Sequence, residues 1–164
     1  MKKAIITGLI LLVITMFAAC ANKDNIPSDV CLSSNGGQAA PNVQYIRIGS
    51  GFGPMNPICT VISSVNELEI YTGSFDKNLF WEAGYADAIA KYTDNYFTDN
   101  FLVIVLLEEN SGSNRHEVEK VETNGDIIIN RLIPEIGTAD MATWNIIIEL
   151  NNNFKPEHFQ VILK

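Results

Sequence analysis

The hydrophobic pattern changes period twice along the chain. Val43-Gln44-Tyr45-Ile46-Arg47-Ile48 alternates and is rich in β-branched and aromatic residues, which predicts a strand. Gly49-Ser50-Gly51-Phe52-Gly53-Pro54 follows, with Pro54 and Pro57 standing where a dinucleotide-binding loop would open its helix, so this stretch reads as a loop. Ile58 to Ser63 predicts a second short strand. Ser64-Val65-Asn66-Glu67 has capping-box spacing and predicts a helix from Val65 to Tyr71, ended by Gly73, with Leu68 and Tyr71 facing inward. The period then lengthens. Trp81, Tyr85, Ala88, Ile89, Tyr92 and Tyr96 share one helical stripe, which predicts a long helix from about Lys77 to Phe97, capped by Asp76. Such a stripe reads as a core face. Thr93-Asp94-Asn95 and Thr98-Asp99-Asn100 lack the ligand order of a calcium loop and read as a helix end and a turn.

From Phe101 the strand pattern returns. Phe101 to Leu107 is continuously apolar and predicts a central strand buried on both faces. Arg115 to Thr123 is next. Its Val118 and Val121 are three apart, which requires a bulge if both face inward. Asn124-Gly125 signals a two-residue hairpin, followed by a strand from Asp126 to Ile133. Trp144, Ile146, Ile148 and Leu150 alternate in a further strand, and Phe159, Val161 and Leu163 in the last. The fold class read from this pattern is α+β and mostly β: an antiparallel meander or β-sandwich, with one long amphipathic helix and one short helix preceding it. Strand reversals put alternate loops at one end, so Glu109 to Asn114 and Pro134 to Asp140 should share a rim. The Asn124-Gly125 turn and the turn from Asn151 to Pro156 should share the other.

The first residues change the setting. Met1-Lys2-Lys3, an apolar run from Ala4 to Phe17 and then Ala18-Ala19-Cys20 have the layout of a secretory signal cut before a lipidated cysteine. An ordinary signal cut after Ala19 or Ala21 would instead release the protein. The division read from this is a signal peptide over 1–19, lipidated Cys20 with a polar tether over 20–41, and one extracytoplasmic domain over 42–164. A diacylglyceryl group with a further acyl chain anchors stably where one chain does not. The expected location is therefore the extracytoplasmic face of a bacterial cell membrane. Loss of Lys2 and Lys3 reduces the 11 basic side chains to 9 against 19 acidic ones, a net of −10. With no basic cluster, electrostatic binding to nucleic acid is excluded, and membrane attachment falls to the lipid on Cys20. Two states are open to Cys31 and Cys59: a disulfide stapling the tether down, or two separate thiols.

Candidate chemistry is sparse. Ser111 and Ser113 lie five and three residues before His116, without a nucleophile elbow, and His158 stands alone near the C-terminus. Glu117, Glu119 and Glu122 with Lys120 read as a solvated face. No catalytic residue, metal ligand set or cofactor is assigned. What remains is the rim. Asn110, Ser111, Gly112, Ser113 and Asn114 form a small-residue loop, Arg115 opens the next strand, and Thr138 and Asp140 lie across from it, with Trp144 entering the strand beyond. These nine residues form a candidate partner-binding edge.

Phe101 to Lys164 resembles the C-terminal domain of PrcB-like protease-complex subunits, and more distantly the chagasin-type protease inhibitors. The matching features are the apolar strand ending in Leu107-Glu108-Glu109, the small-residue loop with Gly112, Val118 and Val121, the Asn-Gly turn and a terminal strand ending in Lys164. Of the loop motif of that family only Gly112 carries over. The resemblance implies an exported β-domain that stabilises a secreted subtilisin-like protease. Ser64 to Tyr71, Gly112-Ser113 and Asp140-Met141-Ala142 with Trp144 also resemble small bacterial surface lipoproteins, which implies no activity.

The sequence is thus read as a lipid-anchored, non-catalytic subunit that binds or stabilises a protein, such as a surface protease or another envelope protein. The alternatives are a ligand- or glycan-binding module, which needs Trp81, Tyr85 and Tyr92 exposed, and, behind it, a protease inhibitor or an enzyme, the latter requiring a histidine to meet a distant acid, Ser or Cys.

Overall fold

The computed structural model describes residues 41–49, 53, 54, 56–75 and 84–164. The signal segment, Cys20, the tether up to residue 40, Cys31, Asp76 and Trp81 lie outside the described residues. Seven strands form two sheets. The strands are β1 (Val43–Gly49), β2 (Ile58–Ile62), β3 (Asn100–Glu109), β4 (Arg115–Val121), β5 (Asp126–Leu132), β6 (Ala142–Asn151) and β7 (Gln160–Leu163). One sheet has the order β1-β6-β3-β2 and the other β4-β5-β7. The described helices are α1 (Val65–Gly73), α2 (Tyr85–Ile89) and α3 (Asp94–Phe97). Among the described residues no helix is long and apolar enough to cross a membrane.

β3 and β6 explain the layering. Both are ten residues long and buried along almost their whole length. Phe101, Val103, Val105 and Leu107 of β3, with Ala142, Trp144, Ile146, Ile148 and Leu150 of β6, pack against Val118, Val121, Ile127 and Ile129 of the second sheet. Their opposite faces, Leu102, Ile104 and Ile147, pack against Leu68, Tyr92 and Phe97 of the helical layer. Strands apolar on both faces need a layer on each side, and an antiparallel pair of them satisfies both at once. Polar residues on the helix side of β6 are tied rather than solvated. Tyr71 donates to Asn145 Oδ1 at 2.6 Å, Tyr92 to Glu149 Oε1 at 3.1 Å and Lys91 to the same oxygen at 2.6 Å.

The capping box forms with a shift of one residue. Ser64 Oγ accepts from Glu67 N at 3.2 Å, while Glu67 Oε2 accepts from Ser63 N, not from the cap residue itself, at 2.6 Å. The predicted bulge is present: the β4–β5 register shifts between Val118 and Lys120, and Val118 and Val121 are both buried.

Three expectations are corrected. First, the long helix over Lys77 to Phe97 is broken into short pieces. Gly84 sits at φ 109, outside the right-handed region, and Thr93 is extended at the start of α3. The stripe still packs inward, with Tyr85 and Tyr92 buried, because its spacing reflects one covered face and not one continuous rod. Second, the late strands do not form a five-strand meander. Only β4 and β5 pair as consecutive strands; β6 crosses to the other sheet, so β7 returns parallel to β5. Third, the Asn124-Gly125 turn is not a two-residue loop. Glu122 N donates to Asp126 O at 2.8 Å and Gly125 N to Glu122 O at 2.9 Å, with Gly125 at φ 95. The loop is Thr123 to Gly125, the three-residue form with glycine in the left-handed position.

Gly125 is therefore a sharp test of this end of the sandwich. A Cβ there would come within 1.9 Å of the His158 carbonyl oxygen as well as straining the backbone. Gly125→Ala should cost about 1–3 kcal/mol. Asn124→Ala, which removes only side-chain hydrogen bonds to Asp126, should cost less than about 1 kcal/mol. Urea denaturation of both variants measures the difference, and equal losses would refute the turn geometry.

Candidate functional site

The connections β3–β4 and β5–β6 leave the same end of the β3–β6 ladder, where Glu109 pairs with Ala142. They meet there. Gly112 N donates to Asp140 O at 2.7 Å, Ser111 Oγ donates to Thr138 O at 2.9 Å, and Thr138 N donates to Ser111 and Ser113 Oγ at 3.1 and 3.2 Å. Ser111 and Ser113 lie 2.8 Å apart and turn to each other and to Thr138. Asp140 carries an exposed ion pair with Arg47 at 2.7 Å. Hydrogen bonding from Thr138, then the Arg47 contact, holds its carboxyl at about 2.

Beneath these loops lies a buried charged cluster. The Glu109 side chain is fully removed from water. It accepts from Asn114 Nδ2 at 2.8 Å, from Arg131 Nε at 2.9 Å and from Arg131 again at its other oxygen, and His116 Nε2 lies 3.0 Å away. The register explains the convergence: His116 stands opposite Arg131 across β4 and β5. Burial alone would raise the Glu109 carboxyl, but the hydrogen bonds from Arg131, His116 and Asn114 outweigh it and hold the group below its ordinary range. His116 is pushed down by burial despite the pull of Glu109. It is therefore neutral at pH 7, with Nε2–H donating to Glu109 and Nδ1 left as a buried acceptor. Trp144 packs edge-on to His116 at 5.5 Å, and the Arg115 guanidinium lies over its ring at 5.4 Å.

The nine rim residues read from the sequence thus divide. Gly112, Asn114 and Trp144 are buried and support the rim from within. A Cβ on Gly112 would lie 2.3 Å from Asp140 Oδ2, so this glycine sets the approach of the two loops. Asn110, Arg115, Thr138 and Asp140 are exposed, and Ser111 and Ser113 are half-buried. The sequence reading missed Arg131, Arg47 and, above all, an apolar lip. Leu132, Ile133, Ile136 and Met141 are 49, 66, 88 and 46 % exposed, running along the β5–β6 connection. Three of these large apolar side chains, Ile133, Ile136 and Met141, fall in the irregular segment after β5 and fit no strand or helix period, and that was the available signal.

At the opposite end, Cys59 and His158 line an open cleft of about 510 Å³ with Phe101, Phe154 and Phe159. Among the described residues Cys59 has no disulfide partner, Cys31 lying outside them, and burial pushes its thiol up to about 11, which disfavours the thiolate at neutral pH. Among the described residues no three His, Cys, Asp or Glu side chains gather in a metal-binding group.

The cluster predicts a pH dependence. The folded His116 value lies below the unfolded one of about 6.5, so acidification through that value favours the unfolded chain. The folded Glu109 value also lies below its unfolded one, so its contribution is present above the ordinary carboxylate range and is lost as pH falls through the depressed value. Glu109→Gln should remove the second loss. At pH 7 it should cost about 2–3 kcal/mol, the low end for a broken buried pair because Arg131 keeps 32 % of its side chain exposed. Urea midpoints at pH 7, 5 and 3.5 measure both effects; an unchanged midpoint at pH 7 would rule out a stabilising role for the cluster.

No family model, no curated protein and no solved structure matches this chain, so the functional reading rests on the rim itself.

Proposed function

We propose that the protein is a lipid-anchored extracytoplasmic subunit that acts by binding a partner protein through this rim. The apolar lip carries the reading. Leu132, Ile133, Ile136 and Met141 are all exposed, and Leu132 and Ile133 line one cavity with Arg115 and Arg131. Apolar anchors beside arginine are the composition of a protein-binding hot spot. Support beneath is rigid, because Glu109, Asn114, His116 and Arg131 form one bonded cluster. A preorganised edge spends little ordering entropy on binding. The lipid on Cys20 supplies the membrane attachment, and the PrcB-like resemblance makes a surface protease the first partner class to test. The buried Tyr85 and Tyr92 take away two of the aromatics that a glycan cleft on the helical stripe would use.

Crosslinking on intact cells, followed by mass spectrometry of captured neighbours, tests the rim. Ile133→Asp with Ile136→Asp should lower recovery of the wild-type neighbour at least about ten-fold. Both positions are exposed, so folding should change by less than about 0.5 kcal/mol for each. Unchanged recovery refutes the rim. Separately, Cys20→Ser should move the chain out of the membrane fraction; retention there refutes the lipid anchor.

A further inference from the structure

The rim holds an open cavity of about 560 Å³ lined by Ser113, Arg115, Arg131, Leu132, Ile133 and Pro134. The lining combines three polar and three apolar residues. The polar half offers almost only donors: two guanidinium groups and one hydroxyl, with no carboxylate in the lining. Glu109, which pairs with Arg131, lies behind it and is fully buried. Each guanidinium is already fixed on one edge. Arg115 Nη1 donates to the Gly112 and Asn114 carbonyls at 2.8 and 2.9 Å, and its plane lies over Trp144. Arg131 gives Nε and one terminal nitrogen to Glu109. These bonds leave Nε and Nη2 of Arg115, the open edge of its fork, and Nη1 of Arg131 unused. Fixed guanidinium forks of this kind match a planar, acceptor-only group and suit carboxylate in particular.

The apolar half follows without a break. Arg131, Leu132, Ile133 and Pro134 are consecutive, so the donors and the apolar wall lie within one residue's reach of each other. An α-carboxylate and an apolar side chain leave the same Cα of a C-terminal residue, which places the two chemistries at that short separation. A carboxylate at the end of an acidic side chain would need a second residue to supply the apolar contact. Charge points the same way. The chain is acidic overall; the Arg131 charge is already met by Glu109, but no carboxylate in the lining meets that of Arg115, which suits an anionic partner group.

We propose that this cavity is a carboxylate pocket that captures the C-terminal residue of the partner, with Arg115 and Arg131 on its carboxylate and Leu132, Ile133 and Pro134 on an apolar side chain. The assignment rests on the rim reading above and names the chemical feature that the rim recognises.

The test titrates three peptides into the full chain in detergent micelles while following the Nε–H resonances of Arg115 and Arg131 by NMR. The probes are acetyl-Gly-Ser-Gly-Leu with a free carboxylate, the same peptide as a C-terminal amide, and acetyl-Gly-Glu-Gly-Leu amide. The free acid should bind roughly ten-fold tighter than its amide, the scale of a charge-assisted pair, and should shift both resonances. Arg115→Ala should abolish that preference. Arg115→Lys, which keeps the charge and loses the fork, should shrink it. Arg131 is left intact, because its removal strands the buried Glu109 carboxylate. Equal binding of acid and amide overturns the pocket, as does an acid preference that survives Arg115→Ala. Equal binding of the internal Glu peptide and the free acid overturns the C-terminal assignment. In the crosslinking experiment, capture lost in the Ile133→Asp, Ile136→Asp variant but kept in Arg115→Ala overturns the pocket alone; capture kept in both overturns the rim reading.

Discussion

The pairing of β3 with β6 is the constraint on which the rest of the structure depends. The ladder runs for ten residues, from Asn100 opposite Asn151 to Glu109 opposite Ala142. Neither strand has a face it can give to water. Fully burying one such Ile or Leu contributes about 1.5–3 kcal/mol, and the two strands together carry most of the buried aliphatic side chains of the core. They must therefore sit centrally in a sheet with a layer on each side. Shorter, one-sided strands are left for the edges, and β1 and β2 take them. The chain then has to leave this sheet after β3 and return to it for β6. That excursion is the β4–β5 hairpin, which becomes the second sheet and covers one face. The helical segments cover the other.

The same ladder fixes where the rim forms and how firmly. The crossings from β3 to β4 and from β5 to β6 both use its Glu109–Ala142 end, so the loops Asn110–Asn114 and Ile133–Met141 meet there. A carboxylate at the last inward rung of β3 would be costly to bury alone. It is stabilised because β4 and β5 bring His116 and Arg131 to it and the loop brings Asn114. The cluster ties both sheets and the first loop into one unit. The second loop is tied to the first by Gly112, Ser111 and Thr138. Only the far edge of the second loop, with its apolar side chains, has no such internal use.

Much of this was legible in the sequence, for reasons that differ by element. β3 was read correctly as double-faced because seven consecutive apolar residues leave no polar side. The bulge was read from two valines three apart, since a pleat admits both inward in no other way. β6 was harder. Asn145 and Glu149 look like a solvent face by alternation, but tyrosines and a lysine from the helical layer donate to Asn145 Oδ1 and Glu149 Oε1, and only tertiary contacts reveal that. The meander failed for the same reason: periodicity ranks strands as buried or exposed without saying which pair. The rim location survived that error because it depends on the direction of successive strands, not on their sheet. Within the rim, Gly112, Asn114 and Trp144 carry a signal that does not distinguish support from contact. Arg131 was overlooked because it sits in a strand, and Ile133 because it was read as the tail of that strand.

A division of labour follows from the charge. With 19 acidic side chains against 11 basic ones, the chain is repelled by other anionic surfaces, at distances limited by a screening length of about 8 Å at physiological salt. Long-range attraction is thus a poor means for this protein to find an acidic partner; the lipid tether we propose would compensate for the unhelpful net field by confining the search to a thin layer. Selectivity then has to come from contact. Apolar side chains that lose water and guanidinium groups fixed in place act only within a few ångströms, and so are indifferent to the charge of the rest of the domain. A partner-binding rim of this composition on an acidic body, as we propose, would discriminate by fit at short range and reject by field at long range.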